Sequence, residues 1–184
     1  MTQISVPTRD DVSPANQAIF DALQSKLGFI PNLYATLAHS ENALGSYLAL
    51  QNAKSSIHGK AREVVNLVVS QVNECAYCLA AHTALGGMVG FTPEQIIEIR
   101  RGGASFDAKL DVLARLTKDI VEKKGHADQN LVAAFLAAGW TEENLVDVIV
   151  TIGDKTVTNY LHGATEVPVD FPAAPALTDA IAAE

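Results

Sequence analysis

The chain holds two cysteines, Cys75 and Cys78, and they stand at C-x-x-C spacing with His82 four residues after the second. If a helix begins near Cys75, the two thiols are i and i+3 neighbours, close enough for a small local adjustment to close a disulfide. The unpaired N–H groups and partial positive charge of a helix N-terminus favour thiolate over thiol, so such a cysteine titrates below its free value of about 8.5. His82 lies one turn beyond Cys78 on the same face, positioned to take or give a proton. The chemistry this predicts is a reversible dithiol–disulfide cycle with imidazole as proton carrier.

Glu63 joins the group only through topology. In one straight helix it would lie about 18 Å along the axis from Cys75, at about 1.5 Å per residue. If the chain instead reverses near Asn73-Glu74 as an antiparallel helical hairpin, Glu63 is 11 residues before Glu74 and His82 is 8 after it. The two then sit at similar heights on facing helices. A carboxylate there would fix the imidazole tautomer and stabilise its protonated form. On this reading the protonated ring also steadies the thiolate, and losing His82 should raise the pKa of the reactive thiol.

Other readings of the same residues are open. Cysteine is often buried, and two in an Ala-rich helix can simply pack. Cys75, Cys78 and His82 offer three zinc ligands, but a structural zinc takes four and there is no second cysteine pair, so no metal is expected. Haem attachment needs histidine directly after the second cysteine, where Leu79 stands, and a thioredoxin-like motif needs a βαβ context. Tyr77, inside the motif, is either a packing ring or a hydroxyl near the thiols that modulates them. His39, His58, His126 and His162 are scattered near segment ends and read as surface or capping residues. Gly86-Gly87 and Gly102-Gly103 lack the strand that a phosphate loop follows, so no cofactor is expected.

The elements that must position this group read as helices throughout. Ser13-Pro14 starts one that Gly28 ends; Pro31 starts a short second; Ser40-Glu41 starts a third running towards Lys54. Val64 to Val69 is rich in β-branched residues and is the one strand-like run, but its apolar pattern continues to Val72, too long for a typical strand, and we read it as a buried helix. Thr92-Pro93-Glu94 opens another helix, stopped by Gly102-Gly103. Leu110, Leu113, Leu116, Ile120 and Val121 form a clear apolar stripe ending near Lys123-Lys124-Gly125. Asp128 and Thr141 cap two more. After Gly163, Pro168, Pro172 and Pro175 mark an extended tail. The prediction is an all-α single-domain bundle over residues 1–164 with a Pro-rich tail over 165–184.

Composition narrows the function. The 184 residues are 48% hydrophobic and 18% charged, enough for one sizeable core and too apolar for disorder. Thirteen Lys+Arg against 21 Asp+Glu give a net charge of −8 with no basic run, a poor basis for nucleic-acid binding. Asn66, Ser70, Gln71, Asn73, Glu74 and His82 interrupt the longest apolar stretch, so no membrane span is expected. The N-terminus lacks a basic start and an apolar h-region, which points to the cytoplasm, where paired cysteines are more often catalytic than structural.

The order Glu63, eleven residues, Cys75-Ala76-Tyr77-Cys78, three residues, His82 resembles the active-site pattern of the alkylhydroperoxidase D-like family, within the carboxymuconolactone decarboxylase superfamily. The flanks are similar too: Gly28-Phe29-Ile30-Pro31-Asn32-Leu33-Tyr34 with Leu37-Ala38-His39-Ser40, and Asn159-Tyr160 through Pro168-Val169-Asp170-Phe171-Pro172, resemble segments of its peroxidase-related members. The resemblance implies an all-helical homo-oligomer, a trimer or hexamer, that reduces a hydroperoxide substrate and is regenerated by an external dithiol. It assigns Cys78 as the peroxidatic thiol, Cys75 as the resolving one, and His82 with Glu63 as the proton relay. Decarboxylase members lack the C-x-x-C, which argues against that activity here. Some family members carry histidine where this chain has Tyr77, which leaves a dithiol–disulfide relay with little peroxidase activity as the alternative function, beside a metal-binding or structural oligomer.

Overall fold

A computed structural model describes residues 4–177, and every regular element among them is helical. A 3-10 turn (Arg9–Asp11) precedes α1 (Pro14–Leu27), α2 (Asn32–Leu37), α3 (Ala43–Gln51), α4 (Gly59–Val72), α5 (Ala76–Met88), α6 (Pro93–Arg100), α7 (Ala108–Glu122), α8 (Gln129–Ala137) and α9 (Glu142–Thr165). The predicted caps hold. The Ser13, Thr92, Asp128 and Thr141 side chains each accept a backbone N–H from the first turn of their helix, and Gly28 closes α1 in the left-handed conformation that lacks a steric penalty only for glycine. The third helix begins slightly later than expected. Ser40 Oγ accepts the Ala43 N–H at 3.3 Å, and Asn42 takes the N-cap position.

The strand-like run is helical because it is buried on every side. Residues Glu63 to Ser70 of α4 are all inaccessible, and the helix packs against α5, α6, α7 and α9. Over Glu63 to Ser70 the helix has no solvent face, so Val64 to Val69 reads as a nearly continuous apolar run interrupted only by Asn66. Val64, Val65, Leu67, Val68 and Val69 meet Leu113, Ala114 and Leu116 of α7 and Ile96 and Ile99 of α6 in the main core. Burial of this order contributes about 1.5–3 kcal/mol per large side chain. α5 comes close to its neighbours through Gly86, where an added Cβ would meet Ile96 Cδ1 at 3.3 Å and Leu67 Cδ1 at 3.6 Å.

A second apolar cluster joins α1, α2 and α3 through Phe20, Leu37, Leu44 and Tyr47. A third, small one holds Leu33, Cys75, Tyr77, Cys78 and Val167, with Phe171 and Leu161 against it. The cysteine pair thus borders the second cluster, with which it shares Val6 and Leu161.

The Pro-rich segment after α9 folds back on its own chain over its described length. Asp170 Oδ2 accepts the Asn32 N–H at 2.7 Å, Asn32 Nδ2 donates to Pro168 O at 3.0 Å, and Arg100 Nη1 donates to Pro175 O at 2.7 Å. Phe171 stands edge-on to Phe29 and Tyr77, with centroids 5.7 and 5.6 Å away. No described helix is long and apolar enough to cross a membrane.

Candidate active site

The hairpin forms where residue counting places it. Asn73 ends α4, Glu74 takes a left-handed φ of 53°, and Cys75 is the N-cap of α5. The Cys75 N–H donates to Ser70 O, and Cys75 Sγ accepts the Cys78 N–H at 3.3 Å. Both cysteines are free and buried. The interaction between the two sulfur side chains is the main reason they titrate apart. Cys78 is brought down to about 7 by the Cys75 side chain and by the Lys155 charge, Asn159 and Thr158, against the opposing effect of burial. Cys75 is pushed up, first by the Cys78 side chain and then by burial. Near neutral pH this gives a thiolate at Cys78 beside a protonated Cys75, a nucleophile beside its partner.

Glu63 and His82 meet across the hairpin. His82 Nδ1 lies 2.8 Å from Glu63 Oε2, and Asn66 Nδ2 donates to Glu63 Oε1 at 3.0 Å. Burial raises the Glu63 carboxyl, but the pairing with His82, the Asn66 bond and the Lys155 charge outweigh it and hold the group below its ordinary value. Burial and the Lys155 charge lower His82 further than Glu63 raises it. The ring is therefore neutral, with Nδ1–H donating to an ionised Glu63 and Nε2 left as a base. This corrects the expectation that a protonated His82 steadies the thiolate. The pair is in place, but the imidazole is not its cation.

Tyr77 turns its ring into the aromatic cluster with Phe171 and, tilted at 5.7 Å, His162. Its hydroxyl accepts the Leu33 N–H at 3.3 Å, tying α5 to α2. His162, expected at the surface, instead packs on Tyr77 and is half-buried; His39, His58 and His126 are exposed as expected. Among the described residues no group of three His, Cys, Asp or Glu side chains converges as metal ligands.

The pattern in the sequence does not reveal what α9 contributes. Lys155, Thr158, Asn159 and His162 lie at i, i+3, i+4 and i+7, one helix face, and that face meets the start of α5. Asn159 Oδ1 accepts from Asn73 Nδ2 at 2.9 Å, and its Nδ2 reaches Ser70 Oγ at 3.4 Å. Lys155 is 3% exposed. No local pattern marks Lys155 or Asn159, which stand among Asp154, Thr156, Thr158 and Tyr160.

A cavity of about 220 Å³ opens onto these groups. Phe29, Leu33, Tyr34, Leu85 and Phe171 make its apolar wall, and Cys78, His82, Lys155 and Thr158 its polar end. Only a small molecule fits there.

Residues 38–119 match the Carboxymuconolactone decarboxylase family, a stretch that holds Glu63, Cys75, Cys78 and His82. The fold is shared with solved structures over most of their length. An uncharacterized peroxidase-related protein from Silicibacter sp. TM1040 is 24% identical, with a TM-score of 0.79 over 91% of each chain. The alkylhydroperoxidase AhpD core, an uncharacterized peroxidase-related protein from Ralstonia eutropha JMP134, is 18% identical, with a TM-score of 0.82 over 91% of this chain and 92% of that one. The debrominase Bmp8 in complex with 2,3,4-tribromopyrrole is 15% identical, with a TM-score of 0.76 over 98% of both chains. No protein of curated function matches in sequence. The family resemblance carried by the motif is thus shown, together with its all-helical fold and the cysteine pair at the start of α5.

Proposed function

We propose that the protein is a thiol-dependent peroxidase that reduces a small organic hydroperoxide through Cys78 and Cys75. The observation that carries this reading is the division of labour within the pair. Cys78 is held as a thiolate and opens into the cavity, while Cys75 stays protonated one helical turn away.

Cys78 enters as the thiolate, and His82 Nε2, whose tautomer Glu63 fixes, takes up one proton from solvent water. The thiolate attacks one peroxide oxygen: the S–O bond forms, the O–O bond breaks, and the leaving alkoxide takes that proton from His82. Sulfenic acid at Cys78 and an alcohol result. The Cys75 sulfur then displaces water from the sulfenic acid, closing the disulfide, and an external dithiol reduces it by exchange. The 3% exposure of Cys78 and the size of the cavity favour small oxidants over a disulfide on another protein.

The test is turnover of an alkyl hydroperoxide with a small dithiol as donor. Cys78→Ser should abolish it and Cys75→Ser should permit a single turnover. Equal multi-turnover rates in both variants would defeat the assignment.

A second reading rests on the aromatic wall of the cavity and the shared fold with a debrominase. The same thiolate can attack bromine on a planar ring, with the ring carbon taking the His82 proton and Cys75 displacing bromide to give the disulfide. Release of bromide from a bromoarene, with one disulfide per bromide, would favour it.

The exposed face of α9 supports self-association as part of this reading. Val146, Ile149, Val150, Val157 and Tyr160 lie on one helix face and are all exposed. An exposed apolar helix face of this kind is suited to burial against a second copy.

A further inference from the structure

We propose that Lys155 is the fixed counter-ion of the Cys78 thiolate, the positive charge that the C-x-x-C…His motif itself does not provide. The proposal deepens the peroxidase reading of this cavity. It assigns a charge-bearing role to a residue outside the motif, on a different helix.

Burying an ammonium costs several kcal/mol unless an anion answers it. Lys155 is buried, and its side chain lines the cavity with Cys78, His82 and Thr158. It forms no ion pair with any described carboxylate. Asp154, its chain neighbour, points about 100° away around the helix and pairs with Arg62 at 3.3 Å. Glu63 feels the Lys155 charge but is bonded to His82 and Asn66 and does not line the cavity. The anion left within the cavity is the Cys78 sulfur.

The other titratable groups around Cys78 leave the role unfilled. On α5, Cys75 stays protonated and His82 is neutral. On α2 and α3, burial holds Tyr34 and Tyr47 in the phenol form. Asp170 of the C-terminal segment accepts from Asn32, and Arg62 is turned to Asp154 and to Gln51 O at 2.6 Å. The lowered Cys78 value counts Lys155 as its leading charge. Thr158, on the same face of α9, lines the cavity beside the two groups, its hydroxyl donating to Lys155 O at 3.0 Å.

The test is the pH dependence of iodoacetamide alkylation at Cys78 in the full-length reduced protein, read by peptide mass spectrometry. Wild type should show a midpoint near 7. Lys155→Met should move it up by about one pH unit or more, a roughly tenfold lower rate at acidic pH. Lys155→Arg should restore it nearly to wild type, and His82→Gln should leave it in place. A wild-type midpoint in Lys155→Met, or a shift produced by His82→Gln alone, overturns the proposal. Should the methionine variant not fold, carbon-13 lysine labelling of the wild type gives the same answer: the Lys155 Cε resonance must titrate with Cys78, and a flat resonance across that range overturns the assignment. Alkylation needs no hydroperoxide. A Lys155-dependent midpoint in a protein that turns over no peroxide therefore removes the peroxidase reading and keeps this one, and an unshifted midpoint in an active peroxidase does the reverse.

Discussion

Glu63→Gln separates the two tasks of the site, making a thiolate and moving a proton. In the wild type the buried carboxylate accepts Nδ1–H at 2.8 Å and can only accept, so it holds His82 in the tautomer with Nε2 free. Glutamine keeps the shape but is neutral, and its amide can present hydrogen as well as oxygen to Nδ1. Where hydrogen faces the ring, the proton moves to Nε2 and the base is lost. A hydrogen bond to a charged group contributes about 1.5–3 kcal/mol, and each 1.36 kcal/mol is tenfold in rate, so hydroperoxide reduction should slow by about ten- to a hundred-fold. The thiolate should respond in the opposite sense. Removing a negative charge near Cys78 leaves Lys155 less opposed, and alkylation at neutral pH should be equal to or faster than wild type. Stopped-flow peroxide reduction and iodoacetamide alkylation, measured on the same preparation, read the two tasks. Unchanged peroxide reduction, or equal loss in both assays, would refute the relay.

Acid should weaken the fold in two steps. His82 binds its proton more weakly when folded than its ordinary 6.5, so the unfolded chain binds more protons just below that value and stability falls as pH drops through it. Glu63 is also lowered from 4.5, and its contribution, fully present above that value, is lost as pH falls towards its folded value. Thermal unfolding between pH 8 and 3 should show both declines, and His82→Gln should remove the first; a flat profile would contradict the neutral ring. Val150→Asp, on the exposed apolar face of α9, should shift the assembly towards smaller species by light scattering, and an unchanged mass would exclude that face as the contact.

Much of the site is legible in the sequence because its four motif residues lie on one hairpin. Counting outward from Asn73-Glu74 is enough to set Glu63 against His82, and Ser13, Thr92, Asp128 and Thr141 announce their helices through caps. α9 resists the same reading. Val146, Ile149, Val150, Val157 and Tyr160 are exposed while Lys155, Thr158 and Asn159 are buried, whereas the usual rule assigns those three to the surface. The state of His82 resists it too, since a neutral ring follows from burial and from a lysine 73 residues away in the chain. The path of the tail is fixed by Asn32 and Arg100, whose bonds to Asp170 and Pro175 no local pattern signals.

The most direct measurement is intact and peptide mass spectrometry of Cys75→Ser after one equivalent of an alkyl hydroperoxide, with a sulfenic-acid trap present. The account predicts one added oxygen per chain, captured by the trap at Cys78 and absent from Cys78→Ser. An unmodified Cys78 in protein that has consumed the peroxide would contradict it.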